Sequence, residues 1–250
     1  MILKTLRLEY LFSVLTSILL AIYINNLEII NYIKFIGGWI FFGICGNLLN
    51  DIKDQDRSLE FSKNQLIAFF LISFLFGFLL MLESFIYNIL NLIFFFTSAI
   101  LVVLYCFKIK KYAIINKFVL VFSYIVFPYL MVKIPNISEP TFFGQINIIL
   151  GVFMFSIAGQ IIHEISDQEA FRKYQIKLSR FVILIFSFIS IIFCLVGTFL
   201  LFDLYLLPLI TIPIGILFLF RKQITPKNVH KRAGILVGNL LMIYFLFLLI

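Results

Sequence analysis

Four side chains at the end of one apolar run set the chemical question. Asn47, Asn50, Asp51 and Asp54 close a stretch that is apolar from Phe35 to Leu49, and they fall at i, i+3, i+4 and i+7. On a helix that spacing puts all four on one face, spread over a rise of ~10 Å. Carboxylates emerging from an apolar helix are costly in a bilayer, roughly 2.5–3.5 kcal/mol per central charge. The cost falls if the face looks into a wet cavity and holds a cation. Gln160, His163, Glu164 and Asp167 repeat the spacing at the end of another apolar run, 113 residues on (160 against 47). Gly38 and Gly46 recur at the same offset as Gly151 and Gly159, and Lys108 recurs as Arg221. Two related halves, each giving one polar helix face to a shared site, account for the pattern.

The donor types narrow the chemistry. Asp51 and Asp54 are hard oxygen ligands, and Asn47 and Asn50 add amide oxygens or position water. No Cys–His cluster has zinc spacing. Oxygen-only donors favour Mg²⁺, an ion commonly shared between carboxylates and a substrate phosphate. Glu164 and Asp167 are the matching acids of the second motif. His163 and Gln160 hydrogen-bond or orient ligands there, with His163 also open to a role as ligand or base. Asp56, Glu60 and Glu169 have weaker claims, as loop acids. Between the halves, Tyr105, Lys108 and Lys111 share a helical face, with Asn116 just beyond. Cations there suit a phosphate held by Mg²⁺ from the acidic side, or they simply anchor a helix end at the interface. Arg57, Arg172 and Lys173 follow the acidic motifs closely enough to close over the same phosphates.

The elements that must position these residues are membrane helices. The chain is 63% apolar and only 13% charged over 250 residues, a mixture with which a soluble domain cannot cover its surface. Apolar runs predict nine helices, near 8–24, 33–50, 65–82, 88–107, 117–132, 142–162, 180–200, 205–221 and 233–250. They form a single all-α transmembrane domain over 1–250, with helices 2–5 and 6–9 as the related halves around a central cavity. Of the 20 Lys and Arg, all but Lys34 and Lys133 fall on alternate connections. By the positive-inside rule the N-terminus and both acidic motifs are cytoplasmic and the C-terminus is outside. The charge of +8 is therefore a topology signal, not one for nucleic acid. Lys4 and Arg7 precede a first span read as retained, with no clean cleavage site. Cys45, Cys106 and Cys194, odd in number and inside apolar runs, are small apolar fillers, not a disulfide framework. Pro128, Pro208 and Pro213 lie within apolar runs, where each frees a carbonyl.

On these residues the sequence resembles the UbiA superfamily of intramembrane prenyltransferases. Asn47-x-x-Asn50-Asp51-x-x-Asp54 is similar to that family's first aspartate-rich motif, Tyr105-x-x-Lys108-x-x-Lys111 with Asn116 to its basic segment, and His163-Glu164-x-x-Asp167 to a form of its second motif. The likeness runs over essentially the whole chain. Ser58 stands where the family usually has another Asp, and the usual three spaced aspartates of the second motif are here His163, Asp167 and Phe171.

The resemblance implies Mg²⁺ ions bridging the two acidic motifs through Asp51, Asp54, Glu164 and Asp167. Asp51, Asp54, Asp167 and Lys108 would be the catalytic set. Asn47, Asn50, Arg57, Tyr105, Lys111, Asn116, His163, Arg172 and Lys173 would bind substrate. The implied partners are an isoprenyl pyrophosphate, a small-molecule acceptor of aromatic or lipid-like character, and the bilayer itself. Loss of pyrophosphate leaves an allylic cation that the acceptor attacks. Two alternatives remain: a terpene cyclase, in which the tail's own double bond captures the cation, and a transport or noncatalytic relative with degenerate motifs. The sequence assigns no oligomeric state.

Overall fold

The structure, a computed structural model, describes residues 8–54, 61–112, 114–133, 141–166, 176–220 and 228–250. Among these, every regular element is helical. A short 3-10 turn, Leu8–Tyr10, leads into α1 (Phe12–Ile24). Then come α2 (Ile33–Asp54), α3 (Lys63–Tyr87), α4 (Ile89–Ile109) and α5 (Ile115–Lys133). The second part holds α6 (Phe142–Ser166), α7 (Ile176–Leu201), α8 (Pro208–Leu219) and α9 (Asn228–Leu248). Each predicted apolar run overlaps one of these units, most of which extend a few residues past the run at one or both ends. Six described stretches, Ile29–Lys53 spanning most of α2 and one in each of α3 to α7, are long and apolar enough to cross a membrane, and three shorter apolar helices accompany them. Large apolar side chains cover the outer faces, for example Leu71, Phe76, Phe181, Phe188 and Phe199. Such a surface is suited to lipid, and the chain is an integral membrane protein.

Helix starts follow local chemistry. Ser62 caps α3 in a reciprocal capping box: its Oγ accepts from Gln65 N at 3.4 Å, and Gln65 Oε1 accepts from Ser62 N at 2.9 Å. Asn88 breaks the chain between α3 and α4 and caps α4 through Leu90 N at 3.0 Å. Pro208 sits in the first turn of α8, where a missing N–H costs nothing.

Two helix pairs pack through glycine. Gly38 of α2 lies against Gly77 of α3, and a Cβ on Gly38 would stand 2.3 Å from Met81 Cγ and 3.0 Å from Gly77 O. Gly151 of α6 lies against α7, where a Cβ would meet Cys194 Sγ at 2.4 Å and Ser190 O at 3.2 Å. Ser190 Oγ also donates to Gly151 O at 2.8 Å. Small residues let membrane helices approach closely, and here the two glycines that the 113-residue offset relates do the same work.

α5 is broken where it meets the centre. Its backbone winds as a π-turn over Phe122–Val126, just before Pro128. The ring of Pro128 cannot bond the carbonyl four residues back, and Ser17 of α1 fills that role, donating to Tyr124 O at 3.1 Å. Ser98 of α4 donates to the neighbouring Ser123 O at 2.8 Å. The break carries Ser123, Tyr124 and Ile125 onto the wall of a central cavity.

Candidate active site

The cavity has a volume of about 380 Å³ and is walled by α1, α2, α4, α5, α6, α8 and α9. Along α2 it runs from Asn50 to Trp39, eleven residues or ~16 Å of helix. The Trp39 end is apolar: Trp39 (1% exposed) packs against Phe42 and Phe95, ring centroids 5.3 and 6.4 Å away. The other end is polar. Asn47 and Asn50 from the first motif, Gln160 and His163 from the second, and Tyr105 between them all line this one cavity. The two polar helix faces therefore meet, each at the C-terminal end of its helix.

The α6 face has further partners. Gln160 Nε2 donates to Tyr124 OH at 3.2 Å. The His163 ring lies 5.4 Å from that of Tyr10, and Ser156 lines the cavity on the same stripe. Gly159 opens the wall between them, since a Cβ there would find nothing within 4 Å.

Behind the lip lie the acids. Asp51 is 1% exposed and Glu164 is 2% exposed. Glu164 Oε1 forms an ion pair with Lys117 Nζ, and the same oxygen accepts from Asn116 Nδ2 at 3.1 Å. Asn116 Nδ2 also donates to Lys110 O at 2.9 Å. Lys110 Nζ reaches the first motif, donating to Asn50 Oδ1 at 3.3 Å. One basic connection thus touches both motifs. Lys108 and Lys111 are exposed, with Lys111 Nζ 5.0 Å from the Tyr112 ring. The end of α4 winds as a π-turn over Tyr105–Ile109. A π-turn advances its faces differently from an α-helix, so the α-helical spacing of Tyr105, Lys108 and Lys111 does not carry over. Tyr105 faces the cavity while Lys108 is exposed.

Arg57, Asp167, Arg172 and Lys173 lie outside the described residues, as does the Asp54 side chain. Among the described residues no three His, Cys, Asp or Glu side chains gather as a metal site. The donor types still fit a hard cation at the first motif, where Asn47 and Asn50 line the cavity and the buried Asp51 follows in sequence; a cation there would share Asn50 Oδ1 with Lys110. Glu164 fits less well, because its carboxylate already holds an ammonium.

Lys110, Lys117 and Tyr124 also reach the site, and no motif marks them. Lys117 was one cation among many on its side. The signal was its place at the head of an apolar run, facing a chain with few acids in its apolar runs. Opposite charges inside membrane segments tend to pair.

No family model matches the sequence, and no curated protein does. Solved structures do. A UbiA homologue from Archaeoglobus fulgidus superposes with a TM-score of 0.72 at 12% identity, over 99% of this chain and 98% of that one. The same homologue bound to GPP and Mg²⁺ gives 0.69 at 13% identity with the same coverage. A structure of digeranylgeranylglyceryl phosphate synthase gives 0.61 at 19% identity, over 99% and 94% of the two chains. Over its whole length, this chain has the UbiA fold.

Proposed function

We propose that the chain is a member of the UbiA superfamily and an Mg²⁺-dependent intramembrane prenyltransferase. The observation that carries this reading is the meeting of the two motif-bearing helix ends at one polar lip, above a chamber with apolar walls. The fold neighbours add support, because two of the Archaeoglobus structures hold GPP or DMAPP together with Mg²⁺. In this reading nine helices cross the membrane, α2–α5 and α6–α9 form the related halves, and the lip opens to the cytoplasm.

Bound with the diphosphate, Mg²⁺ would neutralise charge growing on the leaving group. Asp51, Asp54 and Asp167 would hold it, with Asn47 and Asn50 orienting oxygens around it. The exposed Lys108 and Lys111 would reach onto the diphosphate, joined by Arg57, Arg172 and Lys173. The prenyl tail lies along the apolar wall toward Trp39. The C1–O bond breaks and its electron pair leaves with the diphosphate. The allylic cation forms against Tyr105 and the Phe-lined wall, whose π-faces stabilise it. Exclusion of bulk water keeps the cation for the acceptor. The acceptor forms the new bond to C1 and releases a proton. Its place is the polar stripe of Tyr10, Tyr124, Ser156, Gln160 and His163.

The test is an assay of detergent-purified protein with Mg²⁺, labelled dimethylallyl and geranyl diphosphates and a panel of aromatic and lipid-like acceptors, read by mass spectrometry. The expected outcome is a prenylated acceptor with release of pyrophosphate. A hydrocarbon or terpene alcohol made without any acceptor would reassign the chain to terpene cyclisation. Failure to bind a divalent ion together with pyrophosphate would overturn both readings.

A further inference from the structure

Lys117 belongs to no motif, yet its side chain is fully buried and its ammonium sits on the second motif. The Glu164 side chain that receives it is 3% exposed. Asn116, itself fully buried, donates to the same carboxylate oxygen, and its own Oδ1 has no hydrogen-bond partner among the described residues. Lys117 Nζ also lies 5.8 Å from the Tyr105 ring, a cation–π distance. A buried ion pair is seldom retained for stability, because desolvation of the two charges offsets most of their attraction. Its persistence beside a metal-type motif asks for another reason.

That reason lies in the charge on Glu164. Glu164 is the second-motif equivalent of Asp51 by the 113-residue offset (164 against 51). A carboxylate attracts Mg²⁺ through its net negative charge. An ammonium held against Oε1 cancels that net charge. Neither partner is exposed enough for water to separate them.

We propose that Lys117 is a positioning residue that removes Glu164 from the metal-binding set. The second motif brings its own cation, and Glu164 would not be among the ligands of a diphosphate-bound Mg²⁺. Glu164 instead fixes the start of α5 against α6, and with it the Tyr105 ring beneath the ammonium. The inference rests on the prenyltransferase reading and narrows its ligand set.

The experiment counts metal ions. Full-length protein in detergent is titrated with Mn²⁺ in the presence of inorganic pyrophosphate, and free Mn²⁺ is read by electron paramagnetic resonance. Wild type and the paired variant Lys117→Met/Glu164→Met should bind the same number of ions, with Kd values within about threefold of each other. Lys117→Met alone bares Glu164 and should bind one ion more than wild type. Loss of pyrophosphate-dependent Mn²⁺ binding in the paired variant, by about tenfold or more in Kd, would make Glu164 a ligand and overturn the inference. An unchanged ion count in folded Lys117→Met would overturn it as well. Where that single variant does not fold, the paired variant decides alone. Wild type that binds no Mn²⁺ with pyrophosphate would sink the prenyltransferase reading itself, a result that needs no variant.

Discussion

The ends of α2 and α6 invite comparison because the sequence relates them residue by residue. Both carry their polar face in the last turns, both bury an acid, and both line the same cavity. Their surroundings differ. On α2 the basic connection touches an amide, Asn50, through Lys110. On α6 it touches the acid itself, Glu164, through Lys117. A repeated motif therefore need not repeat its task. In this reading the α6 end spends part of its charge on holding α5 in place.

The largest effects should come from the metal side. Chelating the divalent ion should lower prenyl transfer at least ~1,000-fold, since it supplies several kcal/mol of charge stabilisation. Asp51→Asn should lower kcat by ~100-fold or more, comparable to loss of one preorganised electrostatic partner. Equal losses for Asp51→Asn and Glu164→Gln in the same assay would erase the distinction between the two ends.

Next come the buried partners. Lys117→Met strips Glu164 of its counter-charge and should destabilise the fold by ~3–5 kcal/mol, whereas the joint replacement of both residues should be close to neutral. Thermal unfolding in detergent reads the difference.

The glycines extend the comparison to helix packing. Gly151→Ala pushes a Cβ toward Cys194 Sγ and backbone atoms of α7 and should cost ~1–3 kcal/mol. Gly159→Ala, two turns along the same helix, meets open space and should be neutral or stabilising by up to ~1 kcal/mol. Its effect should fall on the cavity instead, as a weaker preference for bulkier substrates in competition assays. The smallest effect is expected at Lys34–Glu83, an ion pair of 2.7 Å with both side chains more than half exposed. Lys34→Ala should change stability by less than ~1 kcal/mol.

Much of this molecule was written in its hydropathy. Each of the nine apolar runs overlaps one of the helical units, although the caps Ser62 and Asn88 set the starts of α3 and α4 and the hydropathy did not. The pairing of polar faces was legible because i, i+3, i+4, i+7 is a helical period and the offset repeats. The basic segment was not. Helical spacing placed Tyr105, Lys108 and Lys111 together, but a π-turn there obeys another period, and no residue type announces it. Lys117 was hidden for a different reason: a topology rule explains every cation on one side of a membrane equally well, so it singles out none. Only the packing of α5 on α6 distinguishes a lysine that anchors from one that is swallowed.

The hydroxyl of Ser17 has a single proton and two carbonyls in reach, Val14 O at 2.8 Å on its own helix and Tyr124 O at 3.1 Å on α5. Its distant acceptor is made 107 residues later. As the chain emerges, α1 can shelter that proton on Val14 and release it to Tyr124 once the broken helix docks. The earliest wall of the chamber thus never shows lipid a bare donor while it waits for the segment that completes it.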